Sequence, residues 1–120
     1  MILEKQVVSL ELAKKLKEFG CKQDSLFVYD EGKDRIIFLA GEKQRDNDIS
    51  AYTVAELGEM LPNDIMIENK EVLQLACIKG DNEWECSYNN PNNSLGLSFG
   101  KTEADARAKM LIYLKENNLI

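Results

Sequence analysis

The stretch Leu73-Gln74-Leu75-Ala76-Cys77-Ile78-Lys79-Gly80-Asp81-Asn82-Glu83-Trp84-Glu85-Cys86-Ser87-Tyr88 decides the fold class. Leu73, Leu75 and Cys77 alternate with Gln74, Ala76 and Ile78, and beyond Gly80-Asp81-Asn82 the residues Trp84, Cys86 and Tyr88 alternate with Glu83, Glu85 and Ser87. Successive side chains of a strand point to opposite faces, so this is a hairpin with one apolar face. A Gly80-Asp81 loop pairs Cys77 with Trp84, an Asp81-Asn82 loop pairs it with Cys86, and both registers keep the apolar side chains together. The two thiols are therefore expected as near neighbours in the core, where buried cysteines act as small hydrophobes. After Asn89-Asn90-Pro91-Asn92-Asn93, the residues Leu95, Leu97 and Phe99 alternate with Gly96 and Ser98, which predicts a third strand extending the same apolar surface.

Helical periods flank this sheet. Downstream, Thr102-Glu103-Ala104-Asp105 places a capping hydroxyl and acids at a first turn, and the helix runs to about Asn117. Its polar stripe is narrow, Asp105, Lys109 and Glu116, so the helix is expected to touch more than one layer. Arg107 falls inside the apolar arc between Leu111 and Leu114, where it must snorkel or pair with a carboxylate; a structural ion pair is the expectation, ahead of anion binding. Upstream, Thr53-Val54-Ala55-Glu56 is a capping box opening a short helix that Pro62 closes.

Leu26-Phe27-Val28-Tyr29 and Arg35-Ile36-Ile37-Phe38-Leu39-Ala40 flank the turn residues Asp30 to Asp34 and read as a hairpin. At the start of the chain Ser9 precedes a helix in which Leu12, Ala13, Leu16 and Phe19 recur at helical spacing, and Gly20 is placed to end it with Cys21 folding back on the last turn. The polar segment from Gly41 to Tyr52 is read as a solvated loop. Its Asp46-Asn47-Asp48 resembles the start of a calcium loop, but Ala51 and Leu57 stand where that loop needs Gly and Glu. The fold class is thus α+β in a single domain over residues 1–120, in the order α-β-β-α-β-β-β-α, with an antiparallel sheet covered on one face by the first and last helices.

Composition bounds the chemistry. A chain of 120 residues has room for one domain and its own core. Fifteen Lys and Arg against 21 Asp and Glu give a net charge of −6, and there is no histidine. That absence removes the usual triad base, the commonest metal ligand and the physiological-pH proton shuttle. Scattered cations in an acidic chain disfavour a phosphate backbone as partner. Three cysteines with no C-x-x-C spacing exclude a zinc-finger pattern and favour reduced thiols. The glycines are isolated, with no phosphate-cradling loop, and the first six residues include charges where a signal peptide is apolar. No apolar run approaches the roughly twenty residues of a membrane span.

Ser9-Leu10-Glu11-Leu12-Ala13-Lys14-Lys15-Leu16-Lys17-Glu18-Phe19-Gly20, Ile49-Ser50-Ala51-Tyr52-Thr53-Val54-Ala55-Glu56-Leu57-Gly58-Glu59-Met60-Leu61-Pro62 and Thr102-Glu103-Ala104-Asp105-Ala106-Arg107-Ala108-Lys109-Met110-Leu111-Ile112-Tyr113-Leu114 resemble a group of small uncharacterised proteins encoded by phages and prophages. The strand around Trp84 also looks like the Trp-containing strand of that group. Where Tyr52 precedes the threonine, the group often has proline. The resemblance implies a mobile-element origin and a bacterial cytoplasm, and it implies no activity.

The functional expectation is a non-enzymatic protein-binding or accessory module with a host or phage protein as partner, without catalytic residues, metal or cofactor. Its surface is expected at Tyr52 and at Asn89, Asn90, Asn92 and Asn93, taken as an exposed aromatic and an exposed Asn-rich loop. The alternative is an acidic mimic of DNA that occupies a nuclease or a DNA-binding protein.

Overall fold

The computed structural model describes Leu3–Ile120; Met1 and Ile2, which begin the charged N-terminal stretch, lie outside the described residues. A single 3-10 turn, Leu3–Lys5, leads into helix α1 over Leu10–Glu18, whose buried face is Leu12, Ala13 and Leu16. Gly20 at φ +80° stops it: the Gly20 amide donates to the Lys17 carbonyl and the Cys21 amide to that of Leu16, with the Cys21 side chain buried against the last turn. Then come β1 (Phe27–Tyr29), β2 (Ile36–Phe38), β3 (Ile49–Ser50), α2 (Val54–Met60), β4 (Asp64–Met66), β5 (Val72–Lys79), β6 (Trp84–Asn89), β7 (Ser94–Gly100) and α3 (Glu103–Glu116). The helices and strands expected from sequence are present in the expected order, joined by the short strands β3 and β4.

The strands form two antiparallel sheets, β2-β1-β3 and β4-β5-β6-β7, where a single sheet was expected. They divide because β1 has both edges occupied, by β2 in the anticipated hairpin and by β3, which comes from within the segment read as a loop. That segment ends buried: Asp48, Ile49, Ser50, Ala51 and Tyr52 are all inside. The Asp48 carboxylate accepts from the backbone amides of Glu31 and Arg45 at 2.9 and 3.1 Å and from the Arg45 guanidinium. Burial alone would push this carboxyl up; those donors outweigh it and hold it below its usual value. The polar triplet that resembles a calcium loop is therefore a structural brace.

Helix α3 is the centre of the core. It packs on β5, β6 and β7, on α2 and on α1. Ala104, Ala106, Ala108, Met110, Leu111, Ile112 and Leu114 are all buried, as the narrow polar stripe predicts. Helix α1 lies on α3 and β3, so the two terminal helices do not share one sheet face, contrary to expectation. Two polar bonds fix their ends. The Thr102 hydroxyl caps α3 by accepting from the Asp105 amide at 3.1 Å, and the Asp105 carboxylate accepts from the Ser9 amide at 2.8 Å, joining the starts of α3 and α1. The α2 capping box is complete, with Glu56 accepting from the Thr53 amide at 2.9 Å.

Three buried phenols pin distant segments: Tyr29 donates to the Val8 carbonyl at 2.6 Å, Tyr88 to that of Pro62 at 2.7 Å, and Tyr52 to that of Lys22. Burial, ahead of nearby negative charge, pushes each of them from 10 up to about 12. The folded state thus holds these protons more tightly than the unfolded chain does. The stabilisation is complete below the unfolded value of 10 and is lost as pH rises towards about 12. A base titration is expected to show cooperative unfolding within that window, with phenolate absorbance rising together with the loss of near-UV circular dichroism. Phenolate signal that rises well before any loss of structure would contradict this.

Candidate functional site

The sequence-predicted surface does not exist as a unit. Tyr52 is 2% exposed and belongs to the core, its hydroxyl also accepting from Gln23 Nε2 at 3.2 Å. The residue is buried because β3 brings the chain under α1 just before the α2 cap, and alternation alone gives no signal of that. Asn92 and Asn93 are exposed, as expected, and Asn89 and Asn90 are half-buried, but all four are used to close their own turn. Asn90 Oδ1 accepts from the amides of Asn92 and Asn93 at 2.8 and 2.7 Å, and Asn90 Nδ2 donates to Glu71 Oε2 and the Val72 carbonyl. Asn93 also donates to Glu71, and these two amides hold the Glu71 carboxyl below its usual range. Asn89 bridges Ser87 and Ser94 at 2.6 and 2.7 Å. This loop is a clamp between the β4–β5 and β6–β7 connections.

Exposed apolar residues lie elsewhere: Leu26 and Phe38 at the three-stranded sheet, 55 and 60% exposed, and a larger group on the four-stranded sheet. In the observed register Cys77 opposes Cys86, Leu75 opposes Tyr88, Cys86 opposes Ser98 and Trp84 opposes Gly100. Residues directly opposite share a face, so the small residues Ser98 and Gly100 lie under α3 beside Trp84 and Cys86, while Leu97 and Phe99 point away. A bulge at Gly96, φ +68°, separates Leu95 on the inner face from Leu97 on the outer one. This corrects the expectation that Leu95, Leu97 and Phe99 extend the inner apolar surface. The reason is the closeness of α3: a Cβ on Gly100 would lie 2.5 Å from the Ala106 amide nitrogen, and one on Gly96 would lie 2.9 Å from the Tyr113 ring. Ser98 uses its place to donate to the Ala106 carbonyl at 2.8 Å.

The outer face therefore carries Met66, Ile78, Leu97 and Phe99, exposed by 66, 59, 58 and 39%, together with Val72 and Ala76. No helix covers it. The charged residues at strand positions of this face, Asp64 and Glu85, are both acidic, and Asp81 and Glu83 line a recess with Glu85 and Phe99. Strand β7 is an edge of the sheet, and its sequence Ser94–Gly100 contains neither charge nor proline. Edge strands left in this state are templates for a further strand.

No protein-family model matches the chain, and neither a curated protein nor a solved structure matches it.

On the opposite face of the sheet lies a second group. Arg107 pairs with Glu103, Nε and Nη2 each 2.8 Å from Oε2, as the helical wheel anticipates. Its guanidinium rests over Gly58 of α2, 3.3 Å from where a Cβ would stand, which gives that glycine a packing role the sequence did not disclose. The Cys77 and Cys86 sulfurs are in direct contact nearby, Cys86 fully buried and Cys77 half-buried. Among the described residues no cluster of ligating side chains could hold a metal ion, and no helix is long and apolar enough to cross a membrane.

Proposed function

We propose that the chain is a non-enzymatic protein-binding module, of phage or prophage origin by the resemblance of its helices, acting in the bacterial cytoplasm. Its partner contributes an extended segment that adds to the β7 edge and lays alternate apolar side chains on Leu97 and Phe99, with Lys or Arg near Glu83 and Glu85. The observation that carries this reading is the uncovered apolar face of the four-stranded sheet running out to an uncharged edge strand. Charge selects the occupant. The acids that frame the face favour a basic partner and disfavour a second copy of this chain, which would bring Glu85 and Asp64 against their like. A DNA mimic needs rows of free carboxylates, whereas Glu103, Asp105, Asp48, Glu56 and Glu71 are engaged in internal hydrogen bonds.

The test compares wild type with L97D/F99D, whose altered side chains are exposed. Each is immobilised in bacterial lysate at low and at raised salt, and retained proteins are quantified. A partner that elutes with salt and falls by about tenfold on the variant supports the reading. Equal retention by both, or a wild-type dimer that the variant abolishes, overturns it.

A further inference from the structure

We propose that Cys77 and Cys86 form a two-thiol redox site, in which Cys77 is oxidised by a hydroperoxide and Cys86 resolves it to a reversible cross-strand disulfide. The pair lies on the face of the sheet opposite the docking face. Directly opposed residues of an antiparallel pair have Cα atoms about 4.5 or 5.5 Å apart, within the range that a disulfide spans. The two thiols therefore need no backbone rearrangement to join. Their surroundings differ in the way that attacking and resolving thiols need. Cys77 is half-buried and reachable by a small oxidant, whereas Cys86, opposite it on the next strand, is fully buried. The sulfur–sulfur contact with Cys86 holds the Cys77 thiol below the usual cysteine range, with the Arg107 charge adding to it against the opposing effects of burial and of the Glu103 carboxylate. The same contact, with burial, pushes Cys86 up. Cys21, buried and far from either in sequence, is pushed up by burial and serves as an internal reference.

The chemistry balances. The Cys77 thiolate attacks the terminal oxygen of the hydroperoxide; an S–O bond forms, the O–O bond breaks, and the alkoxide or hydroxide leaves with the proton that the thiol gave up. Cys77 is then a sulfenic acid. The Cys86 sulfur attacks the Cys77 sulfur, the S–S bond forms as the S–O bond breaks, and hydroxide leaves with the Cys86 proton as water. Two thiols are oxidised by two electrons and one peroxide bond is reduced. A thiol reductant reverses the disulfide by exchange.

The reduced full-length chain is treated with hydrogen peroxide and followed by intact mass and maleimide labelling. The expected product is monomeric, lighter by two hydrogens, with Cys77 and Cys86 blocked, Cys21 still reactive after unfolding, and full reversal by dithiothreitol. Cys86→Ser accumulates a Cys77 sulfenic acid trapped by dimedone, and Cys77→Ser oxidises about tenfold more slowly. Arg107→Gln moves the pH profile of Cys77 alkylation upward, and Arg107→Lys restores it. Oxidation of Cys21 ahead of the pair, an intermolecular product, or no loss of the two hydrogens overturns the proposal on the wild-type chain alone, whether or not the variants fold.

Discussion

Tyr52→Ala is expected to cost about 4 kcal/mol, because it removes a fully enclosed aromatic ring and leaves a cavity that the surrounding elements cannot collapse into. In a domain of this size that is a fall in melting temperature of about 15 °C. Tyr52→Phe keeps the ring and removes only the bond to the Lys22 carbonyl and the one from Gln23, so about 1 kcal/mol is expected from it. Urea or thermal unfolding of the two variants separates the effects. An exposed aromatic on a binding surface behaves otherwise: its truncation leaves the melting temperature unchanged and weakens a complex. Unchanged stability in Tyr52→Ala would return this residue to the surface.

Gly100→Ala is expected to cost about 3 kcal/mol, or about 10 °C in melting temperature. The added methyl group would meet the backbone nitrogen of Ala106 at 2.5 Å, and backbone cannot step aside as a flexible side-chain end can. Either the first turn of α3 lifts from β7 or the strand shifts and disturbs the Trp84 and Ser98 positions. Gly20→Ala provides the comparison. Gly20 has open space around it and a φ of +80°, so only the backbone conformation is penalised, by about 1 kcal/mol. A loss at Gly100 no greater than at Gly20 would mean that α3 does not approach β7 as closely as described.

These two residues also show where sequence reasoning reached and where it stopped. The cap at Thr53, the stop at Gly20, the pairing of Arg107 with a carboxylate and the closeness of the two thiols each follow from a few neighbouring residues and elementary geometry. The position of Tyr52 does not, because what buries it is a two-residue strand pairing with β1 across 20 residues of chain. The face of β7 differs from the sequence expectation for a related reason. Leu95, Leu97 and Phe99 alternate in sequence, and Gly96 is the residue that breaks the alternation in space. An isolated glycine inside a strand pattern is a bulge signal, and it was the available hint.

Local physics sufficed for the three helices, five of the seven strands, their order and the α+β class, since caps, breakers and hydrophobic periods act within a few residues of one another. Two decisions belonged to the tertiary structure alone. The β1 strand, by accepting a partner on each edge, divided the strands into two sheets and drew the Asp48–Tyr52 segment inside. Helix α3, by lying so close over Gly96, Ser98 and Gly100 that no larger side chain fits there, turned Leu97 and Phe99 outward. The candidate binding face exists because contact distance, not apolar character, chose which side of β7 faces the core.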